Sequence, residues 1–124
     1  MVVSAPPGDG NHRRAREFLR SLKTIHVERF TTNFVFDETY TWFRGSYEAR
    51  RKIGRAIREN PFLEYVRVTE DDERAAWELG GRLRDKGFSF TDLTSFVIAE
   101  RLKIRHVFTF DGDFRRYGKF ISLP

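Results

Sequence analysis

The sequence predicts an α/β fold, a mainly parallel central sheet with helices on both of its faces. Short β-prone runs at 64–69, 105–110 and 120–123 are separated by segments of helical periodicity. That order generates parallel strands and right-handed crossovers. The chain has 124 residues, 40% of them hydrophobic, which suffices for one small core and not for two ordinary domains. Residues 1–124 therefore read as a single domain, with 1–10 an irregular or atypical start.

Taken in order, Met1–Gly10 carries an apolar run too short for a typical strand, and Pro6-Pro7 ends it. His12–Leu22 reads as a helix, with Ala15, Phe18, Leu19 and Leu22 on one stripe and Arg13, Arg14, Arg16 and Arg20 largely outside it. Ile25–Phe30 reads as a weak strand. Thr31-Thr32-Asn33 supplies capping residues for a helix over about Asn33–Phe43. A second helix over Tyr47–Glu59 should pack Ile53, Ala56 and Ile57, with Asn60-Pro61 ending it.

Glu64–Thr69 alternates as a strand. Thr69 caps a helix that runs to about Lys86, where Gly87 stops it. Phe88–Phe90 reads as a linker and Thr91 as the opening of another helix, carrying Leu93, Phe96, Val97 and Leu102. Arg105–Phe110 is β-rich, Gly112–Tyr117 a turn or short helix, and Phe120–Leu123 the last strand. Gly80-Gly81, inside a helical pattern, reads as a place of close packing.

Composition narrows the chemistry. The absence of cysteine excludes disulfides, zinc–thiolate sites and thiol catalysis. His12, His26 and His106 have no short metal-ligand spacing, and no glycine-rich phosphate loop occurs. No apolar stretch reaches the length of a membrane span, and the N-terminus lacks the order of a signal peptide, so a cytoplasmic location is expected.

The net charge is +5, with 12 Lys/Arg against 7 Asp/Glu in residues 1–60 and 11 against 11 in 61–124. Arginine outnumbers lysine 18 to 5. The Arg fork suits phosphate, so nucleic acid is a plausible partner and an acidic protein another. Exposure of Trp42, Phe43 and Tyr47 beside the Arg-rich segment would favour protein docking; their burial would mean plain core.

Most of the polar chemistry is carboxylate. Glu38 lies between Phe34 and Trp42, on a face expected to meet apolar surroundings, where a carboxylate needs a partner or a metal. An edge position reaching solvent, or a pair with an Arg, would also account for it. Asp92 falls at a helix start, where an Asp serves capping and the dipole as readily as catalysis. Asp111 follows a strand at the sheet edge where α/β folds place their sites, and Asp-Gly is also a common turn pair. Gathered together, Glu38, Asp92 and Asp111 would repel one another unless a hard divalent cation neutralised them.

Four segments resemble the PIN-domain family, in its VapC-like toxin branch of metal-dependent ribonucleases. They are Asp9–Ala15; Thr31–Thr39, with Glu38; Ser89-Phe90-Thr91-Asp92; and Phe108–Phe114, with Asp111 and Asp113. The resemblance spans roughly residues 9–124. It implies a three-layer α/β/α fold whose usual first strand is missing or atypical. Where the family has a hydrophobic strand ending in Asp, this chain has Met1–Pro7 without a carboxylate.

The implied activity is hydrolysis of RNA phosphodiester bonds by the toxin of a toxin–antitoxin pair. Glu38, Asp92 and Asp111 would hold one or two Mg²⁺ or Mn²⁺ ions, with Asp113 as a helper. Thr32, Asn33, Thr91 and Thr109 would orient water or the ligand carboxylates. Arg13, Arg14, Arg50, Arg51 and Arg55 would contact RNA or a partner. An antitoxin protein and a second copy of the chain are the implied partners. The alternative is a catalytically impaired PIN-like module that binds RNA or an acidic antitoxin-like protein.

Overall fold

The computed structural model describes residues 13, 14, 17, 28–108 and 112–123. The predicted strand over Ile25–Phe30 falls partly, and Met1–Gly10 wholly, outside these residues. Arg13, Arg14 and Glu17 have helical backbone, as the first helical segment requires. Beyond them the order is β1 (Arg29–Thr32), α1 (Asn33–Trp42), α2 (Tyr47–Arg58), β2 (Leu63–Val66), α3 (Glu70–Arg82), α4 (Phe90–Arg101), β3 (His106–Phe108), α5 (Asp113–Tyr117) and β4 (Ile121–Leu123).

Both strand pairs are parallel. β1 lies on β2 with Thr32 opposite Val66, and β3 lies on β4 with Phe108 opposite Leu123. The fold is the three-layer α/β/α arrangement with a mainly parallel central sheet. Strands followed by helices bring the starts of α1, α3 and α5 to the carboxyl edges of β1, β2 and β3.

Local capping sets the helix starts. The Thr32 hydroxyl accepts the Val35 N–H at 3.1 Å, so this residue both ends β1 and caps α1. Strand β1 is therefore later than Ile25–Phe30 and includes the two threonines that were expected only as caps. Ser46 accepts from Ala49 N–H at 3.2 Å to start α2. At α3, Thr69 and Asp72 exchange bonds in a capping box. Helix α4 starts at Phe90, one residue before the expected Thr91, because Ser89 and Asp92 form a second capping box across the segment read as a linker.

The main core joins the later elements: Ala76 and Leu79 of α3, Leu93 and Phe96 of α4, Val107 of β3 and Phe114 of α5. Phe96 is its centre. Tyr117 stacks on it with centroids 4.3 Å apart, and Phe114 and Phe88 meet it edge-on at 4.9 and 5.1 Å. A Cβ at Gly80 would come within 2.9 Å of Leu93 Cδ1, so α3 and α4 approach closely there; at Gly81 it would meet nothing within 4 Å. An ion pair between buried Asp72 and half-exposed Arg101 clamps the same two helices, with Arg101 Nε and Nη2 each donating to Asp72 at 2.9 Å. Burial raises the Asp72 pKa, but the Arg101 fork and the Thr69 bonds outweigh it and hold the carboxyl below its ordinary range.

Helix α2 differs from the expected core element. It buries no residue, and Ala56 is exposed. Its polar majority leaves Ala49, Arg50, Ile53, Gly54 and Ile57 half-covered. Helix α1 joins the rest through Phe34, whose ring lies 6.1 Å from Phe90, and through Phe36, 6.1 Å from Tyr65. No described helix is long and apolar enough to cross a membrane.

Candidate active site

Asp92 stands at the third position of α4, fixed by the capping box. Its Oδ2 accepts the Ser89 N–H at 3.1 Å, and its own N–H donates to Ser89 Oγ at 3.0 Å. The bonds orient one carboxylate oxygen and leave the other for different work. Asp113 opens α5 beyond the carboxyl end of β3 and lies against Asp92. Its own Oδ1 accepts from Arg116 Nη1 at 2.9 Å.

This setting makes Asp92 hard to ionise. Burial contributes most; a hydrogen bond and charge repulsion from Asp113 add to it, while the Ser89 bonds pull the other way. The net result pushes the Asp92 pKa from 3.8 up to about 7. A proton relieves such a pair when no cation is present, and a hard divalent cation would relieve it in the proton's place. An all-oxygen donor set under mutual repulsion suits Mg²⁺ or Mn²⁺.

Glu38 is exposed on α1, which corrects the expected apolar face: Trp42, one turn further, is 57% exposed. Helix α1 turns Val35 inward instead. Glu38 nevertheless follows Phe34 by one turn, on the side of α1 whose Phe34 ring meets Phe90 two residues before Asp92. Asp111 and Thr109 lie outside the described residues. Among the described residues, no group of three or more His, Asp or Glu is arranged to hold a metal ion. Asp92 and Asp113 are the acids brought together.

The polar neighbours have structural bonds. Thr32 caps α1 as above. Asn33 Oδ1 accepts the Val68 N–H at 2.7 Å, tying the chain after β2 to the start of α1. Thr91, half-buried, accepts the Thr94 hydroxyl on its backbone carbonyl at 2.8 Å. Among the basic residues, Arg13 is exposed and pairs with Glu17 at 3.4 Å; Arg14 is exposed too. Arg50, Arg51 and Arg55 line one groove of about 540 Å³ between α1 and α2. Phe36, Tyr40 and Arg58 line it as well and were not named as site residues from the sequence, whereas Tyr47, also in the lining, was named there only as a docking aromatic. The i, i+4 pair Phe36/Tyr40 and the i, i+4, i+7 series Arg51/Arg55/Arg58 carried that signal.

The PIN domain family model matches residues 4–120. The chain belongs to the PIN-domain family. Within it, the chain falls in the VapC-like toxin ribonuclease branch. It is 32% identical over 112 residues to the 23S rRNA-specific endonuclease VapC20 of Mycobacterium tuberculosis, covering 90% of this chain and 83% of that protein. It is 34% identical over 96 residues to a VapC ribonuclease of Archaeoglobus fulgidus, covering 77% of this chain and 56% of that one.

The crystal structure of M. tuberculosis VapC20, a sarcin-ricin loop cleaving toxin, superposes with a TM-score of 0.82 at 31% identity, covering 94% of this chain and 88% of that chain. The PIN fold accounts for the parallel strand pairs.

Proposed function

We propose that this chain is a Mg²⁺- or Mn²⁺-dependent endoribonuclease, the toxin half of a toxin–antitoxin pair. The observation that carries the reading is the Asp92 carboxyl, desolvated at a helix start and pressed against Asp113, in a chain of the VapC-like branch. Asp92, Asp111 and Glu38, with Asp113 as a helper, would hold the cation. When bound, such an ion lowers the pKa of water and stabilises the charge that develops on the scissile phosphate.

The chain's own residues prepare that chemistry. The Ser89 N–H fixes one Asp92 oxygen and aims the other. Burial keeps the carboxyl poorly solvated, which favours a divalent cation over water as its partner. Thr32 and Asn33 anchor the start of the helix that carries Glu38, and Thr91 and Thr109 flank the other acids. Arg13 and Arg14 would add sequence-independent affinity for the RNA backbone. An antitoxin and a second copy of the chain are the proposed protein partners.

A second reading, RNA binding without cleavage, is favoured by one feature: Met1–Pro7 holds no carboxylate where the family carries its first acid. The assay is cleavage of 23S rRNA and of a generic RNA by the purified chain with Mn²⁺, with EDTA, and as Asp92→Asn. Cleavage that needs Mn²⁺ and is lost in Asp92→Asn is the expected result. Cleavage unchanged by EDTA or by the substitution would overturn the metal mechanism, and no cleavage at all would leave the second reading.

A further inference from the structure

The groove between α1 and α2 combines features that the carboxylate site does not use. From Tyr47 to Arg58 the helix carries Arg50, Arg51, Lys52, Arg55 and Arg58 against the single acid Glu48. Among the described residues Arg55 has an ion pair, to Glu59 at 4.0 Å, while Arg50, Arg51 and Arg58 have none. Two of these guanidinium groups are already stacked. Arg50 sits 4.6 Å over the Tyr40 ring and its Nε donates to the Tyr40 carbonyl at 3.3 Å; Arg58 sits 5.8 Å over Phe36. A guanidinium held by its face on a ring is pre-organised and leaves N–H edges for an anion. Tyr47, in the same groove, is 72% exposed.

We infer that this groove is an RNA-holding site separate from the carboxylates, in which Tyr47 stacks a base and Arg51, Arg55 and Arg58 grip the flanking phosphates. A positive groove with an exposed ring, here Tyr47, is the pattern that binds single-stranded nucleic acid without sequence choice. Aromatic and Arg side chains also anchor protein interfaces; what favours RNA here is charge, four guanidinium groups lining the groove against one carboxylate, Glu59. Here the rings alternate with charges, α2 buries nothing, and exposed Trp42 lies outside the groove's lining. Successive helical residues turn by about 100°, so Phe36 and Tyr40 face away from Phe34 and Glu38 across α1. An RNA draped over that helix would reach both the groove and the Glu38 side. The inference deepens the ribonuclease reading and rests on it for the identity of the polymer.

The test is fluorescence anisotropy of a labelled oligouridylate of about 12 nucleotides, within the usual size of single-strand sites, with the full chain in EDTA so that nothing is cleaved. The variants are Arg51→Gln/Arg55→Gln, Tyr47→Ala and, away from the groove, Arg105→Gln. All four positions are exposed, and circular dichroism checks the fold of each variant. The double variant should lower the salt slope by about 1.4 and weaken binding roughly tenfold near physiological salt. Tyr47→Ala should weaken it at least about fivefold with the slope unchanged.

Variants that bind like Arg105→Gln would overturn the inference. So would an oligoglutamate of equal length that binds the groove more tightly than RNA. The two readings fail separately. RNA binding that ignores the groove beside Asp92-dependent cleavage removes the groove site alone; groove-dependent binding without any cleavage removes the nuclease alone.

Discussion

Asp92→Asn should make the protein more stable at and above neutral pH. In the folded chain Asp92 keeps its proton up to about pH 7, whereas the unfolded chain loses it near the ordinary 3.8. Below pH 4 both states are protonated and the site costs nothing. Between pH 4 and 7 the unfolded chain ionises first, so stability falls as pH rises, and above 7 the full penalty is present. The displacement from 3.8 to about 7 corresponds to a ceiling of about 4 kcal/mol.

Asp113 shares the burden and remains in the variant, so the recoverable part is about 1–3 kcal/mol. The amide oxygen introduced by the substitution would still accept the Ser89 N–H. For a chain of this length the gain is roughly 4–12 °C in Tm. Calorimetry of metal-free wild type and variant across pH 4–9 measures it. The gain should be near zero at pH 4 and complete by pH 8. A variant no more stable than wild type at pH 8, or equally stabilised at both ends, would refute the argument that Asp92 is held under burial and repulsion.

Arg101→Met should cost about 1–3 kcal/mol at pH 7, because Asp72 is then left buried without its fork; the half-exposed Arg101 places the effect below that of a fully buried pair. Since the folded Asp72 pKa is lowered, chemical denaturation should find the difference intact above about pH 4 and shrinking as pH falls through the folded pKa. Gly80→Ala and Gly81→Ala should part company. The first meets Leu93 Cδ1 and costs about 1–3 kcal/mol in overpacking, offset by up to about 1 kcal/mol of helix propensity; the second meets nothing and gains about that propensity. Denaturation midpoints of the two variants check the contrast.

Features set by a few adjacent residues were legible in the sequence. Thr69 caps α3 as expected, and α2 and α5 fall where their periodicity and the Asp-Gly turn place them. Strand β1 was misplaced because its limits depend on pairing with β2, some 34 residues away, which no local pattern records. The start of α4 was missed by a residue because Ser89 and Asp92 cap it reciprocally. Asp92 was therefore legible as a helix-start acid, but its grouping with Asp113 came from the family resemblance and not from local pattern, since only the folded chain brings the starts of α4 and α5 together. The Glu38 face was misjudged because α1 is gripped on two sides, by Phe34 and by Phe36, rather than along one apolar stripe. The clamp between Asp72 and Arg101 joins residues 29 apart and left no periodic trace.

The central claim is that the Asp92 carboxylate holds a divalent cation. Titration of the purified chain with Mn²⁺ at pH 8, with free Mn²⁺ followed by electron paramagnetic resonance, tests it without requiring any RNA. Saturable binding by wild type, weakened at least about tenfold in Asp92→Asn, is the predicted result. Wild type that takes up no Mn²⁺, or a variant that takes it up as tightly, would contradict the account.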